Sequence, residues 1–173
     1  MSIFNLAILP GLVALIVSFL ATPLVIKLAW KLGIIDDPTK NKHIKVIHTY
    51  PVPRAGGLAL FVAILVASLI FLPIDKHLKG ILGGAAVLAL MGILDDKYNL
   101  NPYLRLAGGF LAAGIPIAAG IGIAFLSNPQ GGIIDLSQPQ INFYFLGEQR
   151  SIWVLSDAFA LIWIVFVMNM LNM

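Results

Sequence analysis

The sequence predicts an all-α, polytopic membrane protein with five visible transmembrane helices, and two observations carry that expectation. Of the 173 residues, 60% are hydrophobic and only 11% are charged, whereas an ordinary soluble domain carries about 25% charged residues. A chain of this composition cannot cover its surface with polar groups, so its solvent is lipid. The apolar residues also gather into five stretches, each near the roughly 20 residues that cross a hydrocarbon core. Cysteine is absent, which excludes a disulfide framework and a thiolate metal site.

The first predicted helix covers about 3–30. Its first basic residue is Lys27, and the apolar run before it is too long for a signal-peptide h-region, so it reads as a retained membrane helix. Pro10 lies near its start and Pro23 is a candidate kink. The second helix is expected over 56–73, the third over 79–95, the fourth over 104–126 with Pro116 inside, and the fifth over 153–173. Gly80 and Gly84, and Ala118 and Gly122, are small pairs at the spacing that lets membrane helices approach closely. In the segment 127–152, the stretches GGIIDL and INFYFL are expected to pair as a hairpin. The whole of 1–173 reads as a single transmembrane domain. Because Met173 falls within an apolar run, the expectation is the N-terminal part of a longer multi-helix bundle.

Orientation follows from where Lys and Arg sit in short loops. Lys27, Lys31, Lys40, Lys42, Lys45 and Arg54 flank or occupy the first loop, and Lys97 and Arg105 flank the third. Eight of the eleven basic residues therefore share one face, against Lys76, Lys79 and Arg150 on the other. The loops around 31–55 and 95–105 are expected to be cytoplasmic, with the N-terminus outside.

That face also gathers the polar features. GILDDKYNL at 92–100 sets Asp95 and Asp96 side by side where an apolar run stops. The C-terminal end of a helix disfavours anions, so the pair is destabilising there unless a cation offsets it. Mg²⁺ suits the position, because it takes one or two carboxylates together with substrate phosphates. The plainer alternative is a solvated helix end. The segment 33–57 adds Asp36 and Asp37, Lys40, Lys42, Lys45 and Arg54, then Pro51 and Pro53, then Gly56 and Gly57. Lys and Arg bind phosphate, although basic residues in such loops also serve topology and lipid headgroups. His43 and His48 do not have metal-ligand spacing. Asn169 and Asn172, three residues apart, share one helix face near the same side of the membrane.

The combination resembles the polyprenyl-phosphate N-acetylhexosamine-1-phosphate transferases, the family that includes the phospho-N-acetylmuramoyl-pentapeptide transferases. The matching stretches are DDP at 36–38, PVPRAGG at 51–57, GILDDKYNL at 92–100 with NPYLRL at 101–106, and NMLN at 169–172. The resemblance implies Mg²⁺-dependent transfer of a sugar-1-phosphate from a UDP-amino sugar to polyprenyl phosphate with release of UMP, a first membrane step of cell-envelope glycan synthesis. It implies Asp95 and Asp96 as catalytic and metal-binding residues, Asp95 on the lipid phosphate and Asp96 nearer the metal. Lys97, Lys45 and Arg54 would hold phosphate oxygens, and Asn169 and Asn172 would shape the nucleotide-sugar site. The implied setting is the plasma membrane, multi-pass, with a cytoplasmic active site. The expected partners are the lipid, the UDP-amino sugar and the membrane, with a homodimer to be tested and no nucleic acid.

PVPRAGG points to the N-acetylglucosamine branch, with the muramoyl-pentapeptide branch as the alternative. The basic loop is longer than the family's usual run, and the family's pattern continues past NMLN, so the 173 residues alone are expected to be inactive. The rivals from other classes are a transporter half, whose ion sites would lie at mid-membrane, and a non-catalytic membrane subunit. Asp157 is the one acidic residue early in the fifth helix that a transporter reading could use.

Overall fold

A computed structural model describes residues 4–38, 49–145 and 148–171. A π-helical turn at Phe4–Ile8 opens into α1, Leu9–Leu32. Then follow α2 at Gly56–Phe71, α3 at Lys76–Tyr98, α4 at Pro102–Ala118 and α5 at Val154–Leu171. The segment Leu6–Leu32, α3 and α5 are long and apolar enough to cross a membrane. At 1.5 Å per residue α3 is about 35 Å long, against about 30 Å of hydrocarbon. The apolar helix α2 has 16 residues, about 24 Å, so it falls short of that thickness.

The helices end where the sequence supplies a stop. Gly33 takes a left-handed conformation at φ 69°; its N–H bonds to the Trp30 carbonyl at 3.3 Å and that of Ile34 to the Ala29 carbonyl at 2.8 Å. This is a Schellman closure, and Ile34 and Ala29 are both buried in one apolar cluster. The same closure ends α4. Gly120, at φ 96°, donates to the Ile117 carbonyl, and Ile121 donates to the Pro116 carbonyl. The expected fourth helix to 126 is therefore cut at Ala118: Pro116 and a left-handed glycine outweigh an apolar run that reads on without a break.

The chain forms two compact units. The first comprises Met1–Ile74 and Ala85–Gly108. Its core is Val25, Ala29 and Ile34 with Ala55 and Ala59, against which Ala21, Leu58 and Ile93 pack. Alanines at 21, 29, 55 and 59 keep α1 and α2 close, as membrane helix packing favours. Strands β1 (Ile35–Asp36) and β2 (Val52–Pro53) pair antiparallel, Ile35 opposite Pro53 and Asp36 opposite Val52.

The second unit comprises Asp75–Gly84 and Gly109–Met173. Here the glycines of α3 meet α4. A Cβ at Gly84 would lie 2.5 Å from the Ala112 carbonyl oxygen, and one at Gly80 would run into the Cβ of Ala119. The expected Gly80–Gly84 contact is a real close approach. Gly122 lies beyond α4, and a Cβ there would be 2.5 Å from the Ser156 hydroxyl. The Ala118–Gly122 pair is thus not a helix-face pair.

Two hairpins replace the one expected. β3 (Phe125–Ser127) pairs with β4 (Ile133–Asp135), and β5 (Gln140–Phe145) pairs with β6 (Glu148–Trp153), all antiparallel. The strand within GGIIDL pairs with Phe125–Ser127, and the strand within INFYFL with Glu148–Trp153, rather than with one another. Asp157 is a capping carboxylate: its Oδ2 accepts the Trp153 N–H at 3.1 Å, satisfying a backbone donor at the start of α5.

Candidate active site at the end of α3

α3 ends at an asparagine rather than a glycine. The Asn99 N–H donates to the Asp95 carbonyl at 2.8 Å, and Asn99 itself is left-handed at φ 48°, a conformation Asn tolerates better than most residues. Asn101 accepts the Tyr103 N–H on its side chain at 2.9 Å, and Pro102 starts α4. An Asn cap followed by Pro at the first helical position is a strong start signal. The chain therefore turns within a few residues, and the first turn of α4 comes back to the last turn of α3.

Asp95 and Asp96 stand on that last turn, about 100° apart around the helix, and they engage different partners. Asp95 Oδ1 accepts the Leu100 N–H at 3.1 Å and Arg105 Nη2 at 2.8 Å. Asp96 Oδ2 accepts the Ala55 N–H at 2.9 Å, and its Oδ1 lies 3.9 Å from Arg54 Nε. Both carboxylates are partly exposed, at 25% and 32%.

Arg54 is the centre of the second group. β2 delivers it, and its N–H bonds to the Ile34 carbonyl at 3.0 Å. Its guanidinium lies 3.9 Å from Asp36 Oδ2 and 3.4 Å from Asn99 Oδ1. Ala55, next in the chain, is left-handed at φ 72° and heads α2. That strained turn aims its N–H at Asp96 while its methyl group enters the apolar core. One loop, one strand pair and the end of α3 thus bring Asp36, Arg54, Asp96 and Asn99 together.

Of the other sequence-predicted site residues, Lys97 lies beside the pair, its Nζ 5.3 Å from the centroid of the Tyr98 ring. Asn169, in the second unit, donates its side-chain amide to the Val165 carbonyl at 2.8 Å on its own helix. Lys45 and Asn172 lie outside the described residues, as do His43 and His48. Sequence reasoning left Arg105 and Asn99 out of the site. The Asn-Pro dipeptide, a turn signal, was the available clue that residue 105 returns to residue 95.

The donor set suits a hard divalent cation. Asp95 Oδ2 accepts no hydrogen bond among the described residues, and Asp96 Oδ1 has only the distant Arg54. Among the described residues no group of three His, Cys, Asp or Glu side chains could hold a metal. Asp95 and Asp96 are the carboxylates that could hold Mg²⁺, an ion that takes one or two carboxylates with phosphate oxygens and water.

The architecture is that of a polytopic membrane protein, with two carboxylates and two arginines gathered at the end of α3. Residues 78–173 match the family described as glycosyl transferase family 4, and the chain belongs to that family. It is 28% identical over 165 residues to a probable undecaprenyl-phosphate N-acetylglucosaminyl 1-phosphate transferase of Bacillus subtilis (strain 168), a match covering 94% of this chain and 40% of that protein. It is 31% identical over 134 residues to the decaprenyl-phosphate N-acetylglucosaminephosphotransferase of Mycobacterium tuberculosis (strain ATCC 25618 / H37Rv), covering 72% of this chain and 32% of that one. A shorter match, 32% identical over 98 residues, is to an undecaprenyl-phosphate alpha-N-acetylglucosaminyl 1-phosphate transferase of Pasteurella multocida (strain Pm70), covering 54% of this chain and 26% of that one. The chain thus spans two fifths or less of the length of these relatives. No solved structure matches.

Proposed function

We propose that this chain carries part of the active site of a polyprenyl-phosphate N-acetylglucosamine-1-phosphate transferase. The observation that supports it best is the end of α3, where two adjacent carboxylates are each tethered through one oxygen and flanked by Arg54 and Arg105. The relatives' names specify a polyprenyl phosphate and an N-acetylglucosamine phosphate group.

In the proposed reaction an oxygen of the lipid phosphate bonds to the β-phosphorus of UDP-N-acetylglucosamine. The bond from that phosphorus to the bridging oxygen breaks, and UMP leaves with the electron pair. Two polyanions must meet, so catalysis is mostly positioning and charge neutralisation. Mg²⁺, held by Asp95 and Asp96, would supply the neutralisation when bound. Asp95 orients the lipid phosphate, Asp96 faces the metal, and Lys97 and Arg54 hold phosphate oxygens. Lys45, Asn169 and Asn172 complete the proposed contacts to the nucleotide sugar and its phosphates. The site faces the cytoplasm of a plasma-membrane protein whose N-terminus is outside, in keeping with the basic bias of the loops.

The test is UMP release by the full-length protein, since residues 1–173 alone are expected to be inactive, in detergent with polyprenyl phosphate, UDP-N-acetylglucosamine and Mg²⁺, comparing wild type with Asp95→Asn and Asp96→Asn. Lipid-dependent release that collapses in either variant is the expected result. Release only with the muramoyl-pentapeptide nucleotide moves the donor and keeps the chemistry. No release with either donor, from folded protein, ends the reading.

A further inference from the structure

We propose that Arg105 is a positioning residue that fixes which oxygen of Asp95 faces substrate, an inference that rests on the transferase reading above. Asp95 sits in the last turn of α3, where the unpaired carbonyls carry partial negative charge. Left alone, its carboxylate would turn toward water. Two donors prevent this by converging on the same oxygen: Leu100 N–H at 3.1 Å and Arg105 Nη2 at 2.8 Å, both on Oδ1. They come from the two sides of one turn, the first just past α3 and the second one turn into α4. With both donors on Oδ1, the side chain has one rotational setting and Oδ2 is the oxygen left to a ligand.

The rest of the turn serves the same placement. Asn101 caps α4 through Tyr103 N–H, and its carbonyl accepts the Arg105 N–H at 3.1 Å. The backbone that carries Arg105 is therefore anchored directly to the cap. Arg105 is 44% exposed, and half-exposed ion pairs contribute little to stability. A short, directed contact at such a site has more consequence for geometry than for folding. Asp96 is held differently, through a backbone N–H from the head of α2, so removing Arg105 leaves Asp95 with the Leu100 N–H alone and Asp96 in place.

The experiment uses the full-length protein and follows UMP release, KM for each substrate and thermal midpoint in Arg105→Gln, Arg105→Lys, Asp95→Asn and the double variant Asp95→Asn/Arg105→Gln. Arg105→Gln is expected to lower kcat about 10- to 100-fold, the scale of a small misplacement of a reacting group. Its KM for the UDP-sugar should stay within about twofold, and its thermal midpoint should match wild type, as for other exposed pairs. Lys, which can supply one charged donor, should recover most of the loss. In the Asp95→Asn background, Arg105→Gln should cost nothing further, because a residue acting through another has no effect once its partner is gone.

A raised KM for polyprenyl phosphate at unchanged kcat would overturn the proposal, making Arg105 a direct lipid-phosphate ligand. A kcat loss that follows a lowered thermal midpoint would overturn it too, making the pair merely structural. Wild-type kinetics in Arg105→Gln would refute the inference and leave the transferase reading intact. An inactive wild type would instead take down that reading, and the inference with it.

Discussion

The two ends of α3 both carry aspartate, and they treat it in opposite ways. At the N-terminal end Asp75 Oδ1 accepts the Leu78 N–H at 2.7 Å, while its Oδ2 lies 3.2 Å from His77 Nδ1. An anion there meets unpaired N–H groups and the positive end of the helix dipole. The Leu78 bond, and after it His77, hold the Asp75 carboxyl below its ordinary value. At the C-terminal end Asp95 and Asp96 face the unfavourable end of the same dipole and must draw donors from elsewhere: Leu100, Arg105, Ala55 and Arg54. A carboxylate at a helix start serves the helix. The pair at the helix finish is held by donors from beyond the helix, an arrangement in keeping with the site proposed above.

The sharpest way to break that contrast is to neutralise the C-terminal pair. Asp96→Asn should lower UMP release at least about 100-fold, the scale of losing a preorganised electrostatic contact. Asp75→Asn should leave release unchanged in the same assay; equal losses at both ends would erase the distinction. Next in size is Arg54→Ala, expected to reduce release about tenfold or more because a charge near the transferring phosphates is gone. Steady-state kinetics at saturating donor would read it. Arg54 also bridges Asp36, Asp96 and Asn99, so Arg54→Lys, which keeps the charge and loses the planar fork, should fall between wild type and Arg54→Ala.

Gly84 sharpens the comparison from the packing side. Its missing Cβ admits the Ala112 carbonyl, and Gly84→Ala should destabilise the fold by about 1–3 kcal/mol, the cost of overfilling a tight contact. Thermal unfolding in detergent would measure it. The smallest effect belongs to Asp75. Folding lowers its carboxyl, so its contribution is complete above the ordinary carboxylate range and is lost as pH falls through the lowered value. Acid unfolding curves of wild type and Asp75→Asn should therefore converge at the acid end and separate above it.

The helices were legible because apolar runs of this length have one economical solution in lipid. The segments around α1, α2, α3 and α5 stand where the runs stand. Their ends were less legible because they depend on single residues: Gly120 halts α4 well before its apolar run does, and α3 begins at Lys76 because Asp75 caps it. The carboxylate pair was visible as an anomaly, two charges at the foot of a greasy stretch. Its partners were not. Ala55 and Asp96 are 41 residues apart in the chain, and nothing local in PVPRAGG says that its left-handed alanine will offer an N–H to α3. Arg105, read only as a topology marker, needed the tight turn at Asn101–Pro102 to bring it back.

The two-residue ladder between β1 and β2 has a consequence for how relatives of this chain can diverge. Ile35 opposite Pro53 and Asp36 opposite Val52 pin both ends of the connection that holds Lys40, Lys42 and Lys45. Among the described residues, Arg54 takes its backbone position from the pinned ends, through the Ile34 carbonyl. Lengthening a connection whose ends are already fixed costs only about 0.6 kcal/mol per doubling of its length. A change in the number of residues between Pro38 and Pro51 is therefore expected to leave Arg54 in register with Asp96.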